Sequence, residues 1–234
     1  MIFKKDIKYI YFDLDNTLWD FKGNTVIALE KLYAEKADDF KKMDISFETF
    51  RDTYRNHNEE AWRAYERGEL TAQEVKLKRF RTTLEELKLT PLLNEEQMNT
   101  TYLNYLLELP HLMNNGKEIL DYLHPSYPLG ILSNGFRKGQ YEKMTSSGIL
   151  HYFKDIITSD LVGVAKPDPA IFHYAIEKSG FKAHEIAYVG DDYYIDTIAA
   201  NHVGIRGILL DPNGRIDDPN IIKVKDLLEL KHYF

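Results

Sequence analysis

From residue 129 onward the chain alternates short apolar runs with stretches of helical spacing, and this alternation leaves little choice of architecture. Residues 129–132 read as a strand that stops at Ser133 and Asn134, and a helix follows over residues 139–146. Ile156 and Ile157 mark a second strand, followed by a helix over residues 169–178. Residues 186–189 form a third strand ending in Gly190 and Asp191, and a helix over residues 195–202 leads to a fourth strand at residues 207–210. Strands that alternate with helices form parallel βαβ units and stack into a doubly wound α/β sheet. One more apolar run, residues 7–12, stands far upstream and stops at Asp13, Asp15 and Asn16. It reads as a buried parallel strand running into a loop.

Between that first strand and the rest, residues 21–111 carry helical patterns and almost no strand signal. Val26, Leu29, Leu32 and Tyr33 recur at three- and four-residue spacing, as do Phe47, Phe50 and Tyr54, then Val75, Phe80 and Leu84, then Met98, Tyr102 and Leu106. Gly68, Pro91 and Pro110 punctuate the pattern, and Thr71 with Glu74 has capping-box spacing. The expectation is a bundle of four helices. The chain thus reads as one α/β domain, residues 1–20 and 112–234, interrupted after its first strand by a helical insert of residues 21–111. Residues 211–220 are rich in Asp, Pro, Gly and Asn and read as loop.

Composition narrows the function. The 234 residues are 44% hydrophobic and 29% charged, as in ordinary globular proteins, and no apolar run approaches the roughly 18 residues of a membrane span. Acidic residues outnumber basic ones by 37 to 30, a formal net charge of −7, which argues against a nucleic-acid polymer as partner. A small anionic metabolite remains open, because a local site can be positive on an acidic protein. With no cysteine, disulfides, thiolate metal sites and cysteine nucleophiles are excluded. The eight histidines are scattered and show no metal-like clustering. Residues 1–8 mix charge with apolar residues and lack the apolar core of a secretory leader, so a cytoplasmic protein, monomeric or weakly dimeric, is expected.

Three predicted strands end in polar clusters: Asp13/Asp15/Thr17, Ser133/Asn134 and Gly190/Asp191/Asp192. Open α/β sheets bind ligands beyond the carboxyl ends of their strands. Taken alone, the Asp-x-Asp-x-Thr string arises by chance in roughly one chain of this size in twenty. A turn with a helix cap would also favour Asp, Asn and Thr there. Two carboxylates at the end of a buried strand repel, however, and a cation or a shared proton relieves the repulsion.

The string from Tyr11 to Leu18 resembles motif I of the haloacid dehalogenase-like (HAD) superfamily. Ile131-Leu132-Ser133-Asn134-Gly135 is similar to its motif II, Lys166-Pro167-Asp168-Pro169 to its motif III, and Gly190-Asp191 with Asp196 to its motif IV. The order matches, and so do the gaps: Ser133 lies 120 residues after Asp13, Lys166 33 after Ser133, and Asp191 25 after Lys166. The first gap leaves room for a helical cap of the C1 type.

By this resemblance, Asp13 is the nucleophile that attacks phosphorus and becomes an aspartyl-phosphate. Asp15 protonates the leaving alkoxide and then takes a proton from water. Dehalogenases need no such acid, so Asp15 implies phosphoryl transfer. Ser133 and the Asn134 main-chain amide bind the phosphoryl group, and Lys166 offsets its charge. Mg2+ is implied, held by the Asp13 carboxylate, the Asp15 carbonyl and Asp191. Asp196 holds a metal-bound water or braces Lys166, and Asp192 is either a metal helper or a helix cap. Lys166 sits before a proline, which favours a fixed extended conformation, and Asp168 and Pro169 suit an N-cap and a first helical turn.

Residues 15–21, then Trp62, Tyr65 and Gly68, then Arg79-Phe80 resemble the YjjG-like group, which is associated with 5′-nucleotidase activity on pyrimidine nucleotides. The resemblance implies a nucleotide substrate. A sugar-phosphate phosphatase, a phosphomutase and a pyrophosphatase of the same fold are alternatives, as are, more remotely, a dehalogenase and a non-catalytic binding protein. Trp62 and Tyr65 fit a packed helix interior as well as a substrate site.

Overall fold

A computed structural model describes residues 6–234. The first five residues of the segment read above for a leader lie outside that range. Contact between residues divides the chain into two compact units, Met1–Phe21 with Pro110–Phe234, and Lys22–Leu109.

The first unit is built on a six-stranded, wholly parallel sheet of order β3-β2-β1-β4-β5-β6. Its strands are β1 (Tyr9–Phe12), β2 (Leu129–Ser133), β3 (Phe153–Thr158), β4 (Ile186–Gly190), β5 (Arg206–Leu210) and β6 (Ile222–Val224). Strands β1, β2 and β4 are buried along their whole length, as strands covered on both faces must be. The order reverses beside β1, with β2 and β3 on one side and β4 to β6 on the other. In such a sheet the crevice for a ligand opens at the carboxyl ends on either side of that reversal. Register brings those ends level: Phe12 pairs with Ile131 on β2 and with Val189 on β4.

Three tyrosines lie in the hydrophobic core with their hydroxyls satisfied, as buried aromatic residues with a polar tip require. Tyr9 stacks on Tyr11 at 4.6 Å, and its hydroxyl donates to Asp155 at 2.7 Å. The Tyr11 hydroxyl donates to the Ala175 carbonyl at 3.1 Å. Tyr188 reaches the functional site described below.

The connecting helices of this unit are α6 (Gly116–Leu123), α7 (Arg137–Ser146), α8 (Ser159–Val162), α9 (Pro169–Ser179) and α10 (Ala199–His202). Asp168 caps α9 by accepting from the Ala170 amide at 2.8 Å, with Pro169 in the first turn as its residue type suggests. Before α10 the chain makes a wider π-type turn over Tyr193–Ile198, in which the Thr197 amide reaches back to the Asp192 carbonyl. Sequence spacing reads this stretch and α10 as one helix, because a single widened turn leaves apolar spacing almost unchanged. A short ribbon closes the unit where the chain leaves and returns. Trp19 bridges Leu112, the Asp20 amide donates to the His111 carbonyl, and the Met113 amide to the Leu18 carbonyl.

The second unit has five helices rather than the four expected: α1 (Phe21–Glu35), α2 (Ala37–Lys42), α3 (Phe47–Glu66), α4 (Ala72–Glu86) and α5 (Glu95–Leu107). Helix α2 has six residues and one buried apolar anchor, Phe40, too little for a period to show. Phe40 stacks on Tyr33 at 4.5 Å and lies 4.7 Å from Phe50. Ser46 and Asn94 cap α3 and α5, and Thr71 with Glu74 forms the anticipated capping box on α4. Arg79 is buried and ties three helices together, donating to Asn58 Oδ1 at 3.2 Å and Asn99 Oδ1 at 2.8 Å. Among the described residues no helix is long and apolar enough to cross a membrane.

Candidate active site

Asp13 leaves β1 with its amide still paired to the Val189 carbonyl at 2.8 Å, so sheet register fixes its backbone. Its Oδ1 accepts from Lys166 Nζ at 2.8 Å. Its Oδ2 has no hydrogen-bond partner among the described residues. Burial pushes the Asp13 carboxyl up to about 7; the Lys166 charge opposes the rise, while Asp196 and Asp15 add to it.

Lys166 is almost wholly enclosed. Its three ammonium hydrogens match three acceptors: Asp13 Oδ1, Asp196 Oδ1 at 2.7 Å and the Tyr188 hydroxyl at 2.7 Å. Burial alone would lower its pKa, but the two carboxylates outweigh that and hold the ammonium charged. The Lys166 backbone is gripped by the Asn134 side chain, which accepts from the Lys166 amide at 2.7 Å and donates to its carbonyl at 2.9 Å. The end of β2 thereby sets the position of the lysine that faces β1.

Ser133 closes β2 and is buried. Its Oγ accepts from Gln140 Nε2 at 2.6 Å and from the Gly135 amide at 3.1 Å. A hydroxyl oxygen has two lone pairs, so the Ser133 hydrogen is left to donate elsewhere. The same Gln140 amide donates to Asp15 Oδ2 at 3.0 Å. Lys143, one helical turn on, donates to Asp15 Oδ1 at 2.7 Å and Oδ2 at 2.9 Å. Gly135 is small for a reason, since a Cβ there would stand 2.2 Å from the Gln140 side-chain nitrogen.

At the end of β4, Asp196 packs over Gly190, where a Cβ would lie 2.3 Å from its Oδ2. Asp196 braces Lys166 through Oδ1 and accepts the Asp192 amide on Oδ2 at 3.1 Å. Asp192 turns its own Oδ1 to the Tyr194 and Ile195 amides, both at 2.8 Å, and so caps the π-type turn. Tyr188 completes the cluster, its hydroxyl 2.9 Å from both the Leu132 carbonyl and Asp196 Oδ1.

One carboxylate oxygen each from Asp13, Asp191 and Asp196 lies within 4.8 Å of the others. Lys166 is bonded to two of these three carboxylates, so negative charge is left in surplus. The same surplus adds to the rise that burial imposes on the Asp13 pKa. Hard oxygen donors with surplus charge suit a divalent cation such as magnesium.

The expected residues Asp13, Lys166, Asp191 and Asp196 therefore come together, and Ser133 and Asp15 join through Gln140. Three partners were not foreseen from the sequence. Gln140 and Lys143 leave a faint signal, as polar residues one turn apart behind a strand-end Ser-Asn-Gly. Tyr188 leaves none, since one hydroxyl in an apolar run looks like any core tyrosine.

The chain belongs to the haloacid dehalogenase-like hydrolase family, whose model matches residues 7–204. Several relatives match most of the chain. The HAD-hydrolase YfnB of Bacillus subtilis (strain 168) is 26% identical over 235 residues, 98% of this chain and 95% of that protein. A crystal structure of YfnB, described as bound to magnesium and as revealing interdomain movement, superposes with a TM-score of 0.84 at 27% identity, covering 97% and 98% of the two chains. The pyrimidine 5′-nucleotidase YjjG of Escherichia coli (strain K12) is 27% identical over 208 residues, 88% and 87% of the two chains. A glyceraldehyde 3-phosphate phosphatase of Methanothermobacter thermautotrophicus is 29% identical over 206 residues, 87% and 85%.

Proposed function

We propose that this hydrolase is a magnesium-dependent phosphatase acting through an aspartyl-phosphate, with pyrimidine nucleoside 5′-monophosphates as its substrates. The observation that carries the reading is the state of Asp13: one carboxylate oxygen is held by Lys166 and the other has no hydrogen-bond partner among the described residues. A carboxylate held in this way is oriented to attack in line, and covalent catalysis divides hydrolysis into two easier steps.

Asp13 Oδ2 attacks phosphorus, the ester P–O bond breaks, and Asp15 gives its proton to the departing alkoxide. Asp15 then accepts a proton from a water that attacks the same phosphorus, the Asp13–phosphorus link breaks, and inorganic phosphate leaves. Ser133, whose oxygen already accepts two hydrogen bonds, donates its hydrogen to a phosphoryl oxygen with help from the Asn134 amide. Lys166 keeps its charge beside Asp13 throughout. Asp13, the Asp15 carbonyl and Asp191 would hold magnesium, which supplies the positive charge that lets anionic phosphate approach a carboxylate. Asp196 keeps Lys166 in place, and Asp192 keeps the π-type turn in place.

The nucleotide assignment draws on the likeness to YjjG and on the resemblance carried by Trp62, Tyr65, Gly68, Arg79 and Phe80. The likeness to a glyceraldehyde 3-phosphate phosphatase supports a sugar-phosphate substrate as the second reading. The test is phosphate release from a panel of nucleoside monophosphates and sugar phosphates, with magnesium and with a chelator. Release from pyrimidine nucleotides above all others, abolished by the chelator and by Asp13→Asn, is expected. Full activity in the chelator would overturn the metal-dependent reading, and a preference for sugar phosphates would replace the nucleotidase one.

A further inference from the structure

Helix α7 presents Gln140 and Lys143 on one face, three residues apart, and both reach Asp15. Lys143 is buried although it carries a charge on a long flexible stem, and among the described residues Asp15 is the one carboxylate paired with it. Its ammonium group lies 4.8 Å from the centre of the Trp19 ring and 5.4 Å from that of Phe21. Aromatic faces at these distances attract a cation and keep water from it. Gln140 uses both hydrogens of its amide, one on Asp15 Oδ2 and one on Ser133 Oγ. The two oxygens of Asp15 thus receive three contacts from one helix.

Stability is a poor reason for this arrangement. Apolar residues of similar volume commonly replace a buried ion pair at no cost to the fold. An ammonium group hydrogen-bonded to a carboxyl group fixes its direction both before and after the proton leaves, and so does an amide bonded to both Asp15 and Ser133. The leaving oxygen and the phosphoryl oxygen of one substrate are a bond apart, so the two groups that serve them must be held in register.

We propose that Lys143 and Gln140 are positioning residues that hold the Asp15 carboxyl group at the leaving oxygen and tie its placement to that of Ser133. This rests on the phosphatase reading above. A misaimed Asp15 would hinder departure of a poor leaving group and spare a good one, because a good one leaves with little help.

The test uses the full chain with magnesium and two substrates, an alkyl phosphate and 4-nitrophenyl phosphate. Lys143→Met should lower kcat on the alkyl ester by at least about tenfold more than on the nitrophenyl ester, with both KM values within about twofold of wild type. Lys143→Arg, which restores the ion pair, should recover most of the difference. Gln140→Met removes both hydrogen bonds without touching a charge and should show the same split, so the proposal stays testable if Lys143→Met does not fold. Equal losses on the two esters in the variants that fold would overturn the proposal and leave these residues a structural role. A wild-type protein inactive on both esters, with an unchanged blank in every variant, would instead overturn the phosphatase reading and the role of α7 with it.

Discussion

Replacing Ser133 by alanine separates what the hydroxyl does for the fold from what it does for the reaction. The residue is buried, and its oxygen accepts from the Gln140 amide and the Gly135 amide. Alanine strands both donors. A buried donor without an acceptor costs about 1–3 kcal/mol. The Gln140 group keeps its bond to Asp15, so a total near 2 kcal/mol is expected, or about 4–8 °C in Tm for a chain of this size. The reaction should lose far more. A hydroxyl that donates to a group gaining charge in the transition state is worth roughly 100- to 1,000-fold in kcat. Ser133→Thr keeps the hydroxyl and should lose little on either scale. Thermal unfolding and phosphate release on the same preparations read the two effects. Ser133→Ala with kcat within threefold of wild type would refute the argument that two accepted hydrogen bonds aim the remaining hydrogen at substrate.

The metal-free protein should be sensitive to pH through Asp13. Its carboxyl titrates near 7 when folded and near 4 when unfolded, so between those values the folded chain holds the extra proton and stability falls as pH rises, levelling off above about 7. The difference in Tm between wild type and Asp13→Asn, measured in a chelator from pH 4.5 to 8, isolates this group. A difference that grew in favour of wild type with rising pH would contradict the sign. Gly190→Ala forces a methyl group onto Asp196 and so should loosen Lys166. A loss of activity above about tenfold with a Tm drop of a few degrees is expected, and an unchanged kcat would show that Asp196 can shift without cost to the site.

The sheet was legible because every strand at its centre is an apolar run closed by a polar cluster, and parallel strands buried on both faces must read that way. Strand β6 was not, since three residues at an edge, Ile222–Val224, carry no pattern of their own. The backbone of the site was equally plain: Asp13, Ser133, Lys166 and Asp191 follow strand ends or precede a proline. The layer behind them was hidden because its members are polar residues inside ordinary elements. Lys143 looks like a surface lysine until the fold shows Trp19 and Phe21 beside it. Gly135 and Gly190 look like turn formers, yet each is glycine because a neighbouring side chain occupies the place of its Cβ.

The ribbon formed by Leu18 to Asp20 and His111 to Met113 makes the helical insert a loop in the topological sense, however large it is. Its exit and return strands are already hydrogen-bonded neighbours, so a few residues of linker could join Asp20 to His111 directly. The excised segment lies within the connection from β1 to β2 but contains no strand, and α6 remains to make that crossover. Insertions at such a junction lengthen a loop whose closure cost grows only with the logarithm of its length. A chain built this way can exchange one helical insert for another of different size while its aspartates stay where the strands put them.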